Sequence, residues 1–224
     1  MSDSKIDVGG PPPLAPYRDA RNRDRLRRRL VLASRSPRRR ELLEGAGIAH
    51  DAVDTGIDDG DLRPGEHAAA ESWVAALGYL KARAGAEVWA ERAGEEPALV
   101  LGADTVCVAD GELFGQPRDA GDAERMLRAL SGGTHRVLTG VALVDSRTGE
   151  RCVFVDGATV TVGDLDRDDV ASYIESGAWS GKAGGYNLSE RIEAGWPVAC
   201  DGDPSTVMGL PMRRVVGELG ELLG

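Results

Sequence analysis

The segment Ser34-Arg35-Ser36-Pro37-Arg38-Arg39-Arg40 gathers two hydroxyls and four guanidinium groups within seven residues. Pro37 suits the first position of a helix, and Ser36 suits the cap before it. A helix start presents unpaired backbone N–H groups and the positive end of the helix dipole, so basic side chains there oppose the dipole unless an anion is bound. The segment therefore reads as a phosphate cradle; a solvated basic helix start is the alternative. A second centre is Gly102-Ala103-Asp104-Thr105, set inside the apolar stretch PALVLGADTVCVAD at 97–110. A carboxylate there is costly unless it ends a strand, pairs with a cation or binds a metal. Such an acid can hold Mg²⁺ and orient or deprotonate a water for attack on phosphorus. An Asp satisfied by backbone donors is the competing reading.

The run Ser180-Gly181-Lys182-Ala183-Gly184-Gly185-Tyr186 is glycine-rich without being a Walker A loop. Ser176 stands where that loop would begin with glycine, and Ala183 lacks the hydroxyl that ligates Mg²⁺. It can still bring backbone amides and Lys182 to a ligand, or be a flexible turn. Lys81 lies mid-helix, where a lysine is ordinarily solvated. Asp58 and Asp59 are ordinarily loop acids, although adjacent acids facing a cleft can share a cation with Asp104. His50, His67 and His135 are scattered without zinc-ligand spacing, and no GxSxG nucleophile elbow is present. A cationic cradle plus an acid on a strand is the minimum kit for metal-assisted phosphoanhydride hydrolysis.

These groups need elements to position them. LVLAS (30–34) reads as a buried strand leading into a helix that stops near Gly45 and Gly47. A strand through 49–55 and a long Ala-rich helix over 67–92, carrying Lys81, follow. The Asp104 strand turns at Asp110-Gly111 and pairs back on itself. An amphipathic helix over 119–130 precedes two long strands joined across Arg147-Thr148-Gly149. A helix near 167–176, the glycine loop, a short strand near 197–200 and a helix from about 211 complete the chain. Alternating helices and strands with two hairpins predict an α/β fold on a mixed sheet.

The 224 residues suit one domain with a sizeable core, 42% of them hydrophobic and 29% charged. The net charge of −10 is uneven, because residues 1–40 hold 12 basic and 4 acidic side chains. An acidic remainder is a poor general nucleic-acid binder, so an anionic ligand needs a local basic site. No apolar run reaches the roughly 20 residues of a membrane span, and the Arg-rich start lacks the apolar region of a secretory signal. The three widely spaced cysteines read as small hydrophobes of a reducing compartment. Residues 1–28, rich in Pro and Arg, are expected to be a disordered basic extension, with residues 29–224 forming the domain.

At these same residues the sequence resembles the Maf family of nucleoside triphosphate pyrophosphatases, named for septum formation. The likeness covers residues 30–223 and rests on five ordered stretches: LASRSPRRRELL (32–43), GADTV (102–106), PRDAGDAERMLRALSGGTHRVLTG (117–140), SGKAGGY (180–186) and VMGLPM (207–212). It implies an elongated mixed twisted sheet flanked by helices, in two lobes with a central cleft. It also implies cleavage of a nucleoside triphosphate to the monophosphate and pyrophosphate, with Mg²⁺ or Mn²⁺, in the cytoplasm; the dTTP/UTP branch is the nearer one, and a homodimer is compatible. Under the resemblance Asp104 matches the proton acceptor, and Ser34, Ser36, Arg38, Arg39 and Lys81 match the phosphate-binding set, with Lys182 joining them. Arg38 and Thr105 match positions tied to substrate choice, while Asp58 and Asp59 fall where an acidic pair is usual, as metal ligands beside Asp104. Gln116 stands where the family usually has Lys, Ser189 where that branch has Gln, and Glu190 where it has Gly. These departures bear on rate and base preference, and they motivate an alternative: a catalytically weakened nucleotide-binding regulator linked to division. No membrane or nucleic-acid polymer is expected as a partner.

Overall fold

The computed structural model describes residues 29–57, 69–94 and 96–223. The extension expected over 1–28 and the acids Asp58 and Asp59 lie outside the described residues. Strand β1 (Arg29–Ala33) leads into helix α1 (Pro37–Gly45), then β2 (Asp51–Val53); both strands are short, β1 buried from Leu30 to Ala33 and β2 at Val53 alone. Helix α2 (Ala70–Ala93) connects to β3 (Ala98–Ala109), which turns through Asp110-Gly111 into β4 (Glu112–Phe114). Helix α3 (Ala120–Leu130), β5 (Thr134–Asp145) and β6 (Arg151–Val162) follow, then α4 (Arg167–Glu175). The chain closes with α5 (Leu188–Glu193), β7 (Val198–Asp201), α6 (Pro204–Val207) and α7 (Met212–Leu223). Helices α5 and α6 are additions to the sequence reading. At six and four residues they are too short for an apolar period to show.

The strands form one mixed seven-stranded sheet, in the order β2-β1-β3-β5-β6-β7 with β4 beside β3. Its first part is parallel, because β1 pairs with both β2 and β3 across helical connections. Its second part is antiparallel, and β3 pairs with β5 from Leu99↔Asp145 to Val108↔Arg136. A 12-residue strand runs about 40 Å, so β3 is long enough to serve two separate cores. Near its start, Leu99, Leu101 and Ala103 pack with Leu43 of α1 and with Met212, Val215 and Leu219 of α7. Near its end, Cys107 and Ala109 pack with Met126 and Leu127 of α3, Tyr173 of α4 and Tyr186. Along β3, Asp104 falls between these two stretches, with its side chain on the strand's other face. No helix among the described residues is long and apolar enough to cross a membrane.

Helix α2 crosses the opposite face of the sheet unusually closely, and glycines make that possible. A Cβ on Gly102 would lie 2.3 Å from Ala82 N and 2.5 Å from Gly78 O of α2. One on Gly140, the β5 residue paired with Asp104, would lie 2.2 Å from Val74 O. Side chains two apart on a strand share a face, so the missing side chain at Gly102 lets α2 descend beside the Asp104 carboxylate.

Candidate active site

The Asp104 carboxylate emerges from the middle of β3 and accepts a hydrogen bond at Oδ1 from Lys81 Nζ of α2, at 2.7 Å. Both side chains are nearly buried, at 11% and 12% exposure. A lysine that reads as solvated in sequence is thus an internal partner of the acid. The glycine contacts fix the separation of α2 from β3, and so place the ammonium on the carboxylate.

The phosphate-cradle segment divides into residues with different duties. Arg39 is buried and holds three walls of the site together. Its Nε donates to Gly209 O at 2.9 Å, Nη1 to Ser34 Oγ at 3.2 Å, and Nη2 to Thr105 Oγ1 at 3.3 Å. Ser34 Oγ also accepts from Ser36 N at 3.1 Å, which turns the chain out of β1 and into α1. Ser36 precedes α1 without a side-chain cap bond, leaving the helix's first-turn amides to be met from the cleft. Arg38 reaches across, its Nη2 donating to Gly181 O at 2.7 Å, and burial pulls its pKa below the usual arginine value. Glu190, Tyr173 and Glu41 pull the other way.

Thr105 points to the other face of β3 from Asp104, and its hydroxyl is already committed. Thr139 Oγ1 donates its one proton to Thr206 O at 2.7 Å, so in the 2.9 Å contact between the two threonines Thr105 is the donor. A relay therefore runs from Arg39 through Thr105 and Thr139 to the backbone of α6.

A cleft of ≈ 790 Å³ runs past these groups, within the size that holds a small-molecule ligand. Ser34, Ser36, Arg38, Arg39, Lys81, Asp104, Thr105 and Gln116 all line it. Of the glycine-rich run, Ser180 and Gly181 reach the cleft, whereas Lys182 is buried in an ion pair with Glu190. The Glu190 that departs from the family pattern thus meets Lys182 directly. Ser189 is exposed, and its hydroxyl donates to Asn187 Oδ1 at 2.8 Å. The loop itself is fixed from behind: Gly184 N donates to Gly115 O, Tyr173 hydroxyl donates to Gly185 O, and a Cβ on Gly184 would meet Cys107 Sγ at 2.7 Å.

Asn187, Met208 and Arg118 also line the site without standing out in the sequence as functional residues. Asn187 and Met208 line a recess off the cleft, and Arg118 lines the cleft with its Nε on Asp122 Oδ2 at 3.1 Å. The pattern Asn187-x-x-Glu190 is nonetheless a helix-start signal. Among the described residues no group of three or more His, Cys, Asp or Glu side chains could hold a metal ion.

Comparisons with known proteins give the family of the chain. The Maf-like protein family model matches residues 29–222. The chain belongs to the Maf family. Among its curated relatives, the dTTP/UTP pyrophosphatase of Alkalilimnicola ehrlichii is 42% identical over 192 residues, covering 86% of this chain and 92% of that protein. The protein of the same name from Escherichia coli O157:H7 is 42% identical over 183 residues, covering 82% and 87%. That of Hahella chejuensis is 40% identical over 196 residues, covering 87% and 92%. The Maf match begins where the described structure begins, at β1, and spans both cores.

Proposed function

We propose that this Maf protein hydrolyses nucleoside triphosphates of the dTTP/UTP kind to the monophosphate and pyrophosphate at the cleft around Asp104. The observation that carries the reading is the Lys81–Asp104 pair in the cleft, flanked by the Ser36–Arg38 helix start, in a chain whose curated relatives bear that activity in their names. Relatives of that name favour the enzyme over the weakened regulator.

In this reading Asp104 accepts a proton from the attacking water, and Lys81 holds the carboxylate in one orientation. Ser36, Arg38 and the first-turn amides of α1 take phosphate oxygens, where fixed donors matter most as charge develops. Arg39 acts behind them, fixing Ser34 and Thr105. The donor set fits a hard divalent cation such as Mg²⁺ or Mn²⁺, which typically needs one or two carboxylates and completes its shell with substrate phosphates and water. Asp104 would hold it, with Asp58 and Asp59 as further candidates. A bound cation there would neutralise charge on the triphosphate.

The test is a panel of NTPs and dNTPs with Mg²⁺, with pyrophosphate and orthophosphate assayed separately. The expected result is pyrophosphate release that falls at least about 100-fold in Asp104→Asn. Release that survives that substitution unchanged would sink the mechanism, and orthophosphate as sole product would mean a phosphatase.

A further inference from the structure

A recess of ≈ 50 Å³ opens off the cleft and shares Arg38, Asp104, Thr105 and Gln116 with it. That is room for a few waters or the edge of a planar ring. Tyr186, Val207 and Met208 give it apolar walls, and Asn187 gives it a carboxamide. Asn187 is only 7% exposed. Its Oδ1 caps α5, accepting from Glu190 N at 3.2 Å and from Ser189 Oγ at 2.8 Å. A backbone N–H can only donate, so the orientation of the carboxamide is settled: oxygen toward α5, nitrogen away from it. Nδ2 then carries two N–H donors that no described residue accepts from. Nδ2 is not one of the fully buried unpartnered atoms among the described residues, so it reaches open space, where a ligand or a water can receive its donors.

We propose that Asn187 is a specificity-determining residue, whose Nδ2 donates to a carbonyl oxygen on the edge of the bound base and so selects 4-oxopyrimidines over 4-aminopyrimidines. The proposal deepens the pyrophosphatase reading and rests on it. UTP and CTP are nearly the same in shape, but at C4 uracil offers an acceptor and cytosine a donor. An amide N–H pointing at that position pairs with the first and opposes the second. Discrimination by a polar group that one substrate leaves unpaired exceeds what apolar shape achieves. The exposed Ser189 acts through Asn187, holding its oxygen side, rather than by touching the base.

Asn187→Asp is the decisive variant. Aspartate caps a helix as well as asparagine does, so α5 keeps its start and Ser189 its partner. Only the recess side changes, from donor to acceptor. The UTP:CTP ratio of kcat/KM is the readout, because the added charge weakens both nucleotides alike and cancels in the ratio. The expected result is a wild-type ratio well above one that falls at least about tenfold in Asn187→Asp, through loss on UTP. A ratio within about twofold of wild type would overturn the proposal. If the wild-type protein releases pyrophosphate from no nucleotide, the hydrolase reading fails separately. The ratio is then read as Kd by calorimetry for UTP and CTP on the same two proteins, under the same criterion.

Discussion

Arg38 and Arg39 are adjacent in sequence and do different work, because successive helical residues point about 100° apart. Arg39 turns inward and spends its Nε, Nη1 and Nη2 on Gly209, Ser34 and Thr105. Arg38 faces the cleft and is half-buried. Lysine cannot reproduce a three-way fork. Arg39→Lys is therefore expected to lower stability by about 2–4 kcal/mol in urea unfolding. Arg38→Ala should leave the unfolding midpoint nearly unchanged and raise KM for the triphosphate about tenfold or more. Equal unfolding midpoints for the two variants would contradict this division. The sequence shows the cluster of guanidinium groups and the isolated acid, since both are rare patterns at a strand–helix junction and inside a strand. It does not show which arginine is buried. The rotation between successive residues of α1 is local, but the partner that makes Arg39 the inward one, Gly209, lies 170 residues away. Lys81 stands out only through the family resemblance, because nothing local in an Ala-rich helix marks the face that meets an acid on β3.

At the scale of elements, the spacing between α2 and the sheet sets the geometry of the acid. Gly102→Ala would place a methyl 2.3 Å from a backbone nitrogen of α2, and backbone cannot swing aside as a side chain tip can. The helix must lift, and Lys81 lifts with it. The expected outcome is a loss of about 2–3 kcal/mol in chemical denaturation together with a fall in kcat. Unchanged kcat with reduced stability would mean that the Lys81–Asp104 contact does not matter to the chemistry. The glycine of GADT is legible as part of a motif, yet its physical reason lies in a contact with a helix some 20 residues earlier. Long elements are legible because periodicity and turn chemistry agree over many residues, as at Asp110-Gly111, where Asp110 takes a positive φ of 49°. Helices α5 and α6 carry too few residues for a period. Their signals are caps: Asn187 accepts from Glu190 N, and Asp203 accepts from Ser205 N ahead of Pro204.

Across the whole molecule, two cores share the long strands β3 and β5, and the ligand cleft lies between them. The core beyond the cleft includes a buried pair in which His135 Nε2 meets the Tyr186 hydroxyl at 2.8 Å. Burial lowers the His135 pKa from 6.5 to about 4. Below pH 6.5 the unfolded chain takes up a proton that the folded chain refuses, so stability falls as pH drops from 6.5 towards 4 and levels off below. The full loss is about 3 kcal/mol. Melting temperatures recorded between pH 7.5 and pH 4.5 should show this slope, and His135→Gln should flatten it. A slope identical in the variant would assign the acid sensitivity to other groups.

The relay from Arg39 through Thr105 and Thr139 to Thr206 continues to Asp156 of β6, whose Oδ1 accepts from Thr206 Oγ1 at 3.1 Å. It ties α1, β3, β5, β6 and α6 into a single girder beneath the cleft floor. Substitutions along a girder do not add. Once one link is cut, cutting a second costs little, so paired changes at distant relay positions will look milder than their separate effects imply. Variation at Gln116, which lines the cleft, or at Ser189, which holds Asn187, lies outside that constraint. Lineages of this chain are thus free to retune what the cleft accepts at its edge, while the floor must change as a unit or stay as it is.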